Sequence, residues 1–276
     1  MTNLRKQGTD GDGPLRIEAS ANSRNPLIDY EDAAATYDAT RSHSRRLVKR
    51  FDRKVGLTAS RTILDFGCGS GNYLAYIRNN HGCRCCGTDP SRNMRRLARE
   101  KNSDLDIRPG DHRHIPFDEA AFDFSFMTDV IHHVPDLQSM FRELFRVSRP
   151  GALLCVVTQS HEQIAARFYN RYFPSLAANE TARYPDTRDI VDGAIACGWS
   201  PDEVQVQPQP RVVTIDRAFL ATVEQKNYSM FLLLDDVEYG KGLAGLREDA
   251  GKTVEQPGAG ETLIWFRKDG RGAGQP

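Results

Sequence analysis

"ILDFGCGSGNYL", Ile63 to Leu74, decides how this chain folds. An apolar pair, Ile63 and Leu64, runs into an acid, Asp65, and glycines then stand at alternate positions, Gly67, Gly69 and Gly71. A strand that ends this way lets the backbone turn sharply and approach a ligand closely. The following "NYLAYIRN" reads as a helix that offers amide groups at its start. A plain strand-to-helix turn is the competing reading, but it needs neither the acid nor three glycines. The dinucleotide fingerprint G-x-G-x-x-G does not fit, because the third glycine arrives one residue early and Asn72 stands in its place. Asp65 would repel a pyrophosphate and suits a ligand carrying an ammonium group. The stretch therefore points to a positively charged nucleoside rather than to NAD.

Outward from this loop, short apolar runs alternate with helical stretches. "RTILDF", "CRCCGTD", "DLDIRPG", "AFDFSFMTD", "GALLCVVTQ", "DEVQVQP" and "ETLIWFRK" read as strands. "SRNMRRLAREK" and "DLQSMFRELFRVS" read as helices between them. This order predicts an α/β fold: a Rossmann-like, seven-stranded, mostly parallel sheet with helices on both faces. Residues 1–26 are polar and aperiodic, with Gly-Asp-Gly-Pro, and predict a disordered tail ahead of a domain spanning 27–276, with its core at 57–160. From Leu27 to about Gly56 the pattern is helical. Two segments exceed what the sheet needs, 161–185 after the fifth strand and 214–258 between the sixth and seventh. They contain "EQIAARFYNRYF" and "DRAFLATVEQKNYSMFLLL" and predict a small helical cap over the ligand-binding edge.

Composition sets outer bounds. In 276 residues, Lys+Arg and Asp+Glu both number 37, so no net charge draws the chain toward nucleic acid or an anionic membrane. No apolar run approaches the roughly 18 residues that span a bilayer. The first residues contain no signal-peptide core, and the six cysteines show no regular framework. A reducing, cytoplasmic setting is the expectation, with no membrane or nucleic-acid partner and an undetermined oligomeric state. "CRCC", Cys83 to Cys86, lies in a strand, where alternating faces keep its sulfurs from converging on a metal. No metal is expected, and small core residues are the better reading. Arg92, Arg95, Arg96 and Arg99 form a stripe best read as a solvated helix face.

The run Asp65-Phe66-Gly67-Cys68-Gly69-Ser70-Gly71 resembles the first motif, D/E-x-G-x-G-x-G, of the class I S-adenosylmethionine-dependent methyltransferases. The resemblance extends from about Tyr37 through Gln159 and is nearest to the small-molecule branch that includes ubiquinone-biosynthesis-like enzymes. "GTDPS" places Asp89 at the end of the second strand, where a carboxylate accepts both ribose hydroxyls. "GDHRHIPFDEAAFDFSF" resembles the family's G-D-A-x-x-L-P-F-x-x-x-x-F-D run. The resemblance implies Asp111 on the adenine amino group, His112 contributing its backbone amide, Met94 flanking the adenine, and Thr128 completing the cofactor set. "RELFRVSRPGALL" resembles the helix and Pro-Gly turn before the fifth strand. In "YDATR", Tyr37 and Arg41 lie one helical turn apart and by resemblance bind the cofactor's methionine carboxylate. A solvated Arg41 is the even alternative.

The implied cofactor is S-adenosyl-L-methionine, whose sulfonium already makes the methyl group electrophilic. The protein must hold an acceptor in line and remove a proton where needed. His132 and His133, in "TDVIHHVPD" after the fourth strand, are the candidate bases. His133 is preferred because it lies further from the strand. Some relatives place an acid at the end of the fifth strand to orient such a histidine. Here Thr158 and Gln159 stand there, and Asp129 is the nearest substitute. The aromatics Phe168, Tyr169, Tyr172 and Phe173 either line an acceptor pocket or pack the cap. The leading expectation is methyl transfer to an oxygen or nitrogen of a small organic molecule, a secondary metabolite or biosynthetic intermediate. A peptide, protein or RNA methyltransferase is a second reading, and a non-catalytic cofactor-binding module a third.

Overall fold

The computed structural model describes residues 17–18, 27–28, 42–208, 211–256 and 260–270. Its centre is a seven-stranded sheet. We number the strands β1 (Thr62–Phe66), β2 (Arg84–Thr88), β3 (Asp106–Arg108), β4 (Phe122–Thr128), β5 (Ser148–Thr158), β6 (Ser200–Pro208) and β7 (Gly260–Arg267). Their spatial order is β3-β2-β1-β4-β5-β7-β6. The first five are parallel, and β7 runs antiparallel to both β5 and β6. All seven expected strands are present. The order reverses between β1 and β4, and a switch of this kind opens a crevice at the carboxyl ends of the strands.

Helices cover both faces, and the period-two alternation of the strands assigns each residue to one of them. Ile63, Cys85, Phe124, Cys155 and Trp265 join a core with α1 (Arg45–Val55), α2 (Asn72–His81) and α3 (Arg92–Lys101). Leu64, Cys86, Met127, Val156 and Ile264 join the opposite core. That core also takes Phe141 and Leu144 of α4 (Leu137–Val147) and Trp199, whose indole N–H donates to the Phe141 carbonyl at 3.1 Å. Cys85 and Cys86 thus belong to cores on opposite faces, as strand alternation requires. Each large aliphatic or aromatic side chain buried here stabilises the fold by roughly 1.5–3 kcal/mol.

Beyond the sheet lie α5 (His161–Ala165), α6 (Leu176–Arg183), α7 (Thr187–Ala196), α8 (Arg217–Glu224) and α9 (Asp236–Glu248). The cap has its own core. Phe168, Phe173 and Leu176 from the first segment pack against Ile215, Val223, Phe231 and Leu246 from the second. Packing is close enough that a Cβ at Gly242 would lie 2.2 Å from Phe173 and 2.7 Å from the Tyr172 carbonyl.

Several local expectations need correction. Leu27–Ile28 is not helical: it is extended and pairs antiparallel with Ile17–Glu18, inside the stretch read as a tail. The described helix before the sheet is α1, capped by Ser44 and ended at Gly56. "EQIAARFYNRYF" divides into α5 and a 3-10 turn at Phe168–Arg171. "DRAFLATVEQKNYSMFLLL" breaks at Lys226, which has φ 50°, before a second 3-10 turn at Ser229–Leu233. The cap also contains a ribbon, Arg211–Thr214 paired antiparallel with Thr253–Gln256. Its two short β-branched runs carry no hairpin signal because the whole of the second segment separates them.

Candidate active site

The carboxyl ends of the parallel strands and the underside of the cap border a cavity of about 650 Å³ that is open to solvent on one side. From the sheet side it is lined by Asp65, Gly67, Thr128, Asp129 and His132, and α2 adds Tyr73. From the cap it is lined by Arg167, Phe168, Tyr169, Tyr184, Phe219 and Tyr228.

The glycine loop is held against β2. The amides of Gly67 and Cys68 both donate to the Thr88 carbonyl, at 2.8 and 2.9 Å. Gly67 has φ 73°, and a Cβ there would sit 2.6 Å from Val130. Gly71 has φ 75°, and a Cβ there would meet that of Ala98 at 2.9 Å, so α2 and α3 approach closely only with glycine present. Asp65 is 1 % exposed, and among the described residues its Oδ1 has no hydrogen-bond partner. Burial, with a contribution from the charge of Asp89, pushes its carboxyl well above the ordinary range. A bound ammonium group would supply both the missing donor and the opposite charge, so the residues present fit the expected cofactor.

Asp89 is also buried, and its carboxylate organises the loop: Oδ2 accepts from the Gly69 amide and Oδ1 from the Ser91 amide, each at 2.9 Å. Asp111 lies in the next turn. Burial alone would raise its carboxyl, but hydrogen bonds and the charge of Arg113 hold it below its ordinary value. Its Oδ1 accepts from the amides of Arg113 and His114, at 2.8 and 3.3 Å.

Among the sequence-predicted residues, Asp65, Gly67, Thr128 and His132 meet on the cavity wall. Gly69, Gly71, Asp89, Met94, Asp111 and His112 are not among its lining residues, and Met94 is buried at 2 % exposure. Tyr37 and Arg41 lie outside the described residues. The two candidate bases stand differently toward the cavity. Val130 opens a 3-10 turn at Ile131–His133, which buries His132 at 5 % exposure on the cavity wall and leaves His133 off it. The His132 ring stacks on Tyr184 with centroids 4.2 Å apart and planes 13° from parallel. Asp129, also on the wall, has φ 55°, a strained value for a non-glycine residue.

The cap aromatics divide between the two roles considered. Phe168 and Tyr169 line the cavity, whereas Phe173 is fully buried in the cap core and the Tyr172 hydroxyl donates to Asp249 at 2.6 Å. Tyr73, Arg167, Glu180, Tyr184 and Glu261 are wall residues that sequence reasoning missed. Of the basic stripe, Arg95 donates to the Asp89 and Pro90 carbonyls at 2.7 and 2.6 Å, and Arg99 donates to the Ile107 carbonyl. Among the described residues, no helix is long and apolar enough to cross a membrane.

A methyltransferase domain family matches residues 64–156. Malonyl-[acyl-carrier protein] O-methyltransferase of Serratia marcescens is 30% identical over 129 residues, 47% of this chain and 50% of that protein. Demethylmenaquinone methyltransferase of Oceanobacillus iheyensis is 28% identical over 130 residues, 44% of this chain and 55% of that protein. The chain therefore spans about half the length of the curated relatives it matches. A solved structure from Anabaena variabilis, of a methyltransferase proposed for an antibiotic biosynthesis pathway, superposes with a TM-score of 0.67. It covers 82% of this chain and 98% of its own at 20% identity, a likeness of fold. Taken with the loop that carries Asp65 and its glycines, these matches support a methyltransferase domain over residues 64–156 with S-adenosylmethionine as its cofactor.

Proposed function

We propose that this protein transfers a methyl group from S-adenosylmethionine to an oxygen or nitrogen atom of a small organic molecule. One observation carries the reading: one cavity joins the buried Asp65 and Gly67 at the sheet edge to an aromatic wall in the cap. A cavity of about 650 Å³ is of the size that takes a small organic acceptor. A relative named for a small-molecule substrate, demethylmenaquinone methyltransferase, supports the same assignment.

In this reading Asp65 holds the cofactor's ammonium group, Asp89 accepts the ribose hydroxyls, and Asp111 accepts the adenine amino group beside the His112 amide and Met94. Gly67 lets the backbone approach, while Gly69 and Gly71 set the loop that carries Asp89's partner amide. Thr128 lies at the methyl-bearing end. The bound sulfonium supplies an electrophilic methyl group. His132, from the cavity wall, takes the acceptor's proton, and Tyr184 fixes its ring plane by stacking. The cap excludes water and holds the acceptor in line.

The test is formation of S-adenosylhomocysteine with pools of phenols, amines and carboxylic acids, run beside peptide and RNA pools. Turnover with a small-molecule pool is expected. Turnover confined to peptide or RNA, or binding of the cofactor without turnover on any pool, refutes the reading.

A further inference from the structure

The cap wall contains a buried charge cluster that methyl transfer itself does not require. Arg167 and Arg183 share one carboxylate, that of Glu180. Arg167 Nη1 donates to Glu180 Oε2 at 2.8 Å, and Arg183 Nη1 donates to Oε1 at 2.7 Å. The side chains of Arg167, Glu180 and Arg183 are 12%, 4% and 3% exposed. Two guanidiniums against one carboxylate leave one positive charge in excess. Among the described residues, Nε and Nη2 of Arg183 have no hydrogen-bond partner. Burying such an excess is costly unless an anion compensates it.

Arg167 is the member of the cluster that faces both the cavity and Glu180. It also donates to Gln159 Oε1, whose amide group is in turn anchored to the Gly260 carbonyl at 2.7 Å. The guanidinium is therefore held rigidly before any ligand arrives. Tyr184, beside it on the wall, is fixed by its carbonyl, which pairs with His161 Nε2 at 2.8 Å. The remaining acids on the wall, Asp65, Asp129 and Glu261, sit on or next to strand ends, where a cationic cofactor is expected. The cap wall next to Arg167 is aromatic: Tyr169 and Phe219 stack with centroids 5.9 Å apart.

We infer that the methyl acceptor is an apolar, ring-bearing carboxylic acid whose carboxylate docks on Arg167 while its ring lies against Phe168, Tyr169 and Phe219. The anion neutralises the excess charge of the Arg167–Glu180–Arg183 cluster, and a planar guanidinium suits a carboxylate better than any other group in the cavity. This inference rests on the small-molecule methyltransferase reading above.

The test uses the full chain loaded with S-adenosylhomocysteine, titrated calorimetrically with cinnamate, indole-3-acetate and 2-naphthoate and with the primary amide of each. At least one acid is expected to bind roughly tenfold or more tightly than its amide, as a charge-assisted hydrogen bond implies. Arg167→Met should abolish that difference. It leaves Glu180 and Arg183 as a neutral pair, so the fold should survive, which a melting curve checks. Arg167→Lys keeps the charge and should retain part of the preference. If the product binds but no acid exceeds its amide, or no acid binds, the inference is overturned and the methyl-transfer reading stands. Failure of the product itself to bind overturns both. A tenfold or greater loss of product affinity in Arg167→Met assigns this arginine to the cofactor's own carboxylate and likewise overturns the inference.

Discussion

At the sheet edge, Asp65, Gly67 and Thr128 reach the cavity from strand ends fixed by the parallel ladder. Across from them, Arg167, Glu180 and Tyr184 reach it from short helices and turns held by a separate core. The first group presents backbone shape and isolated carboxylates, the second aromatic surface and one shared ion cluster. The contrast separates two tasks. A ligand common to a whole family is held where the scaffold is most rigid, and a ligand particular to one member is met by segments that vary without disturbing the sheet.

The comparison breaks most sharply at His132, which stands on the sheet side yet stacks on Tyr184 of the cap. His132→Ala is expected to lower turnover by roughly 10²–10⁴ with product affinity near normal, and His133→Ala to leave turnover within a few-fold. Steady-state rates of both variants on the same acceptor measure this. Equal losses at the two positions would remove the distinction drawn from the cavity wall.

Next in size is the independence of the cap core. Phe173→Ala should destabilise the protein by about 3–5 kcal/mol, read by denaturant unfolding. Product affinity should change little, because Phe173 is packed within the cap cluster and does not line the cavity among the described residues. A matching loss of cofactor binding would show the two regions to be one energetic unit.

The sheet side is sharpened by Asp89→Ala. Losing charge-assisted bonds worth roughly 1.5–3 kcal/mol each should weaken the product at least tenfold. Calorimetry on a folded variant measures it, and unchanged affinity would restrict Asp89 to its observed bonds with the Gly69 and Ser91 amides.

The division also explains what the sequence made legible. Seven strands follow from apolar runs of the right length, and the loop from glycines that must adopt positive φ, both local properties of the chain. Which of His132 and His133 lines the cavity depends on the direction of one 3-10 turn, which adjacency in sequence does not encode. Arg167 and Glu180 are thirteen residues apart and meet only because α6 folds back on the preceding turn. Nothing in "AARFYNRYF" distinguishes Phe168, on the wall, from Phe173, in the core. Gln159 read as the loss of an acid at the end of β5, and in the folded chain it is the side chain that anchors Arg167.

A smaller effect concerns pH. The carboxyl of Asp65 is raised in the folded state above its unfolded value by burial and by Asp89. Its contribution to apo stability is therefore full below the ordinary carboxylate range and is lost as pH rises through the raised value. Product affinity should move the opposite way and rise over the same interval, because only the ionised carboxylate pairs with an ammonium group. Asp65→Asn should flatten both profiles in thermal melts and titrations across pH, and a product affinity independent of pH in the native protein would detach Asp65 from the ammonium.

A structure of the complex with S-adenosylhomocysteine tests the joining of the two regions most directly. The ammonium of the product is expected on Asp65, its ribose on Asp89, and its sulfur opening into the cavity between His132 and the aromatic wall of the cap. A product sulfur turned to bulk solvent, or a product seated away from Asp65 and Asp89, would contradict it.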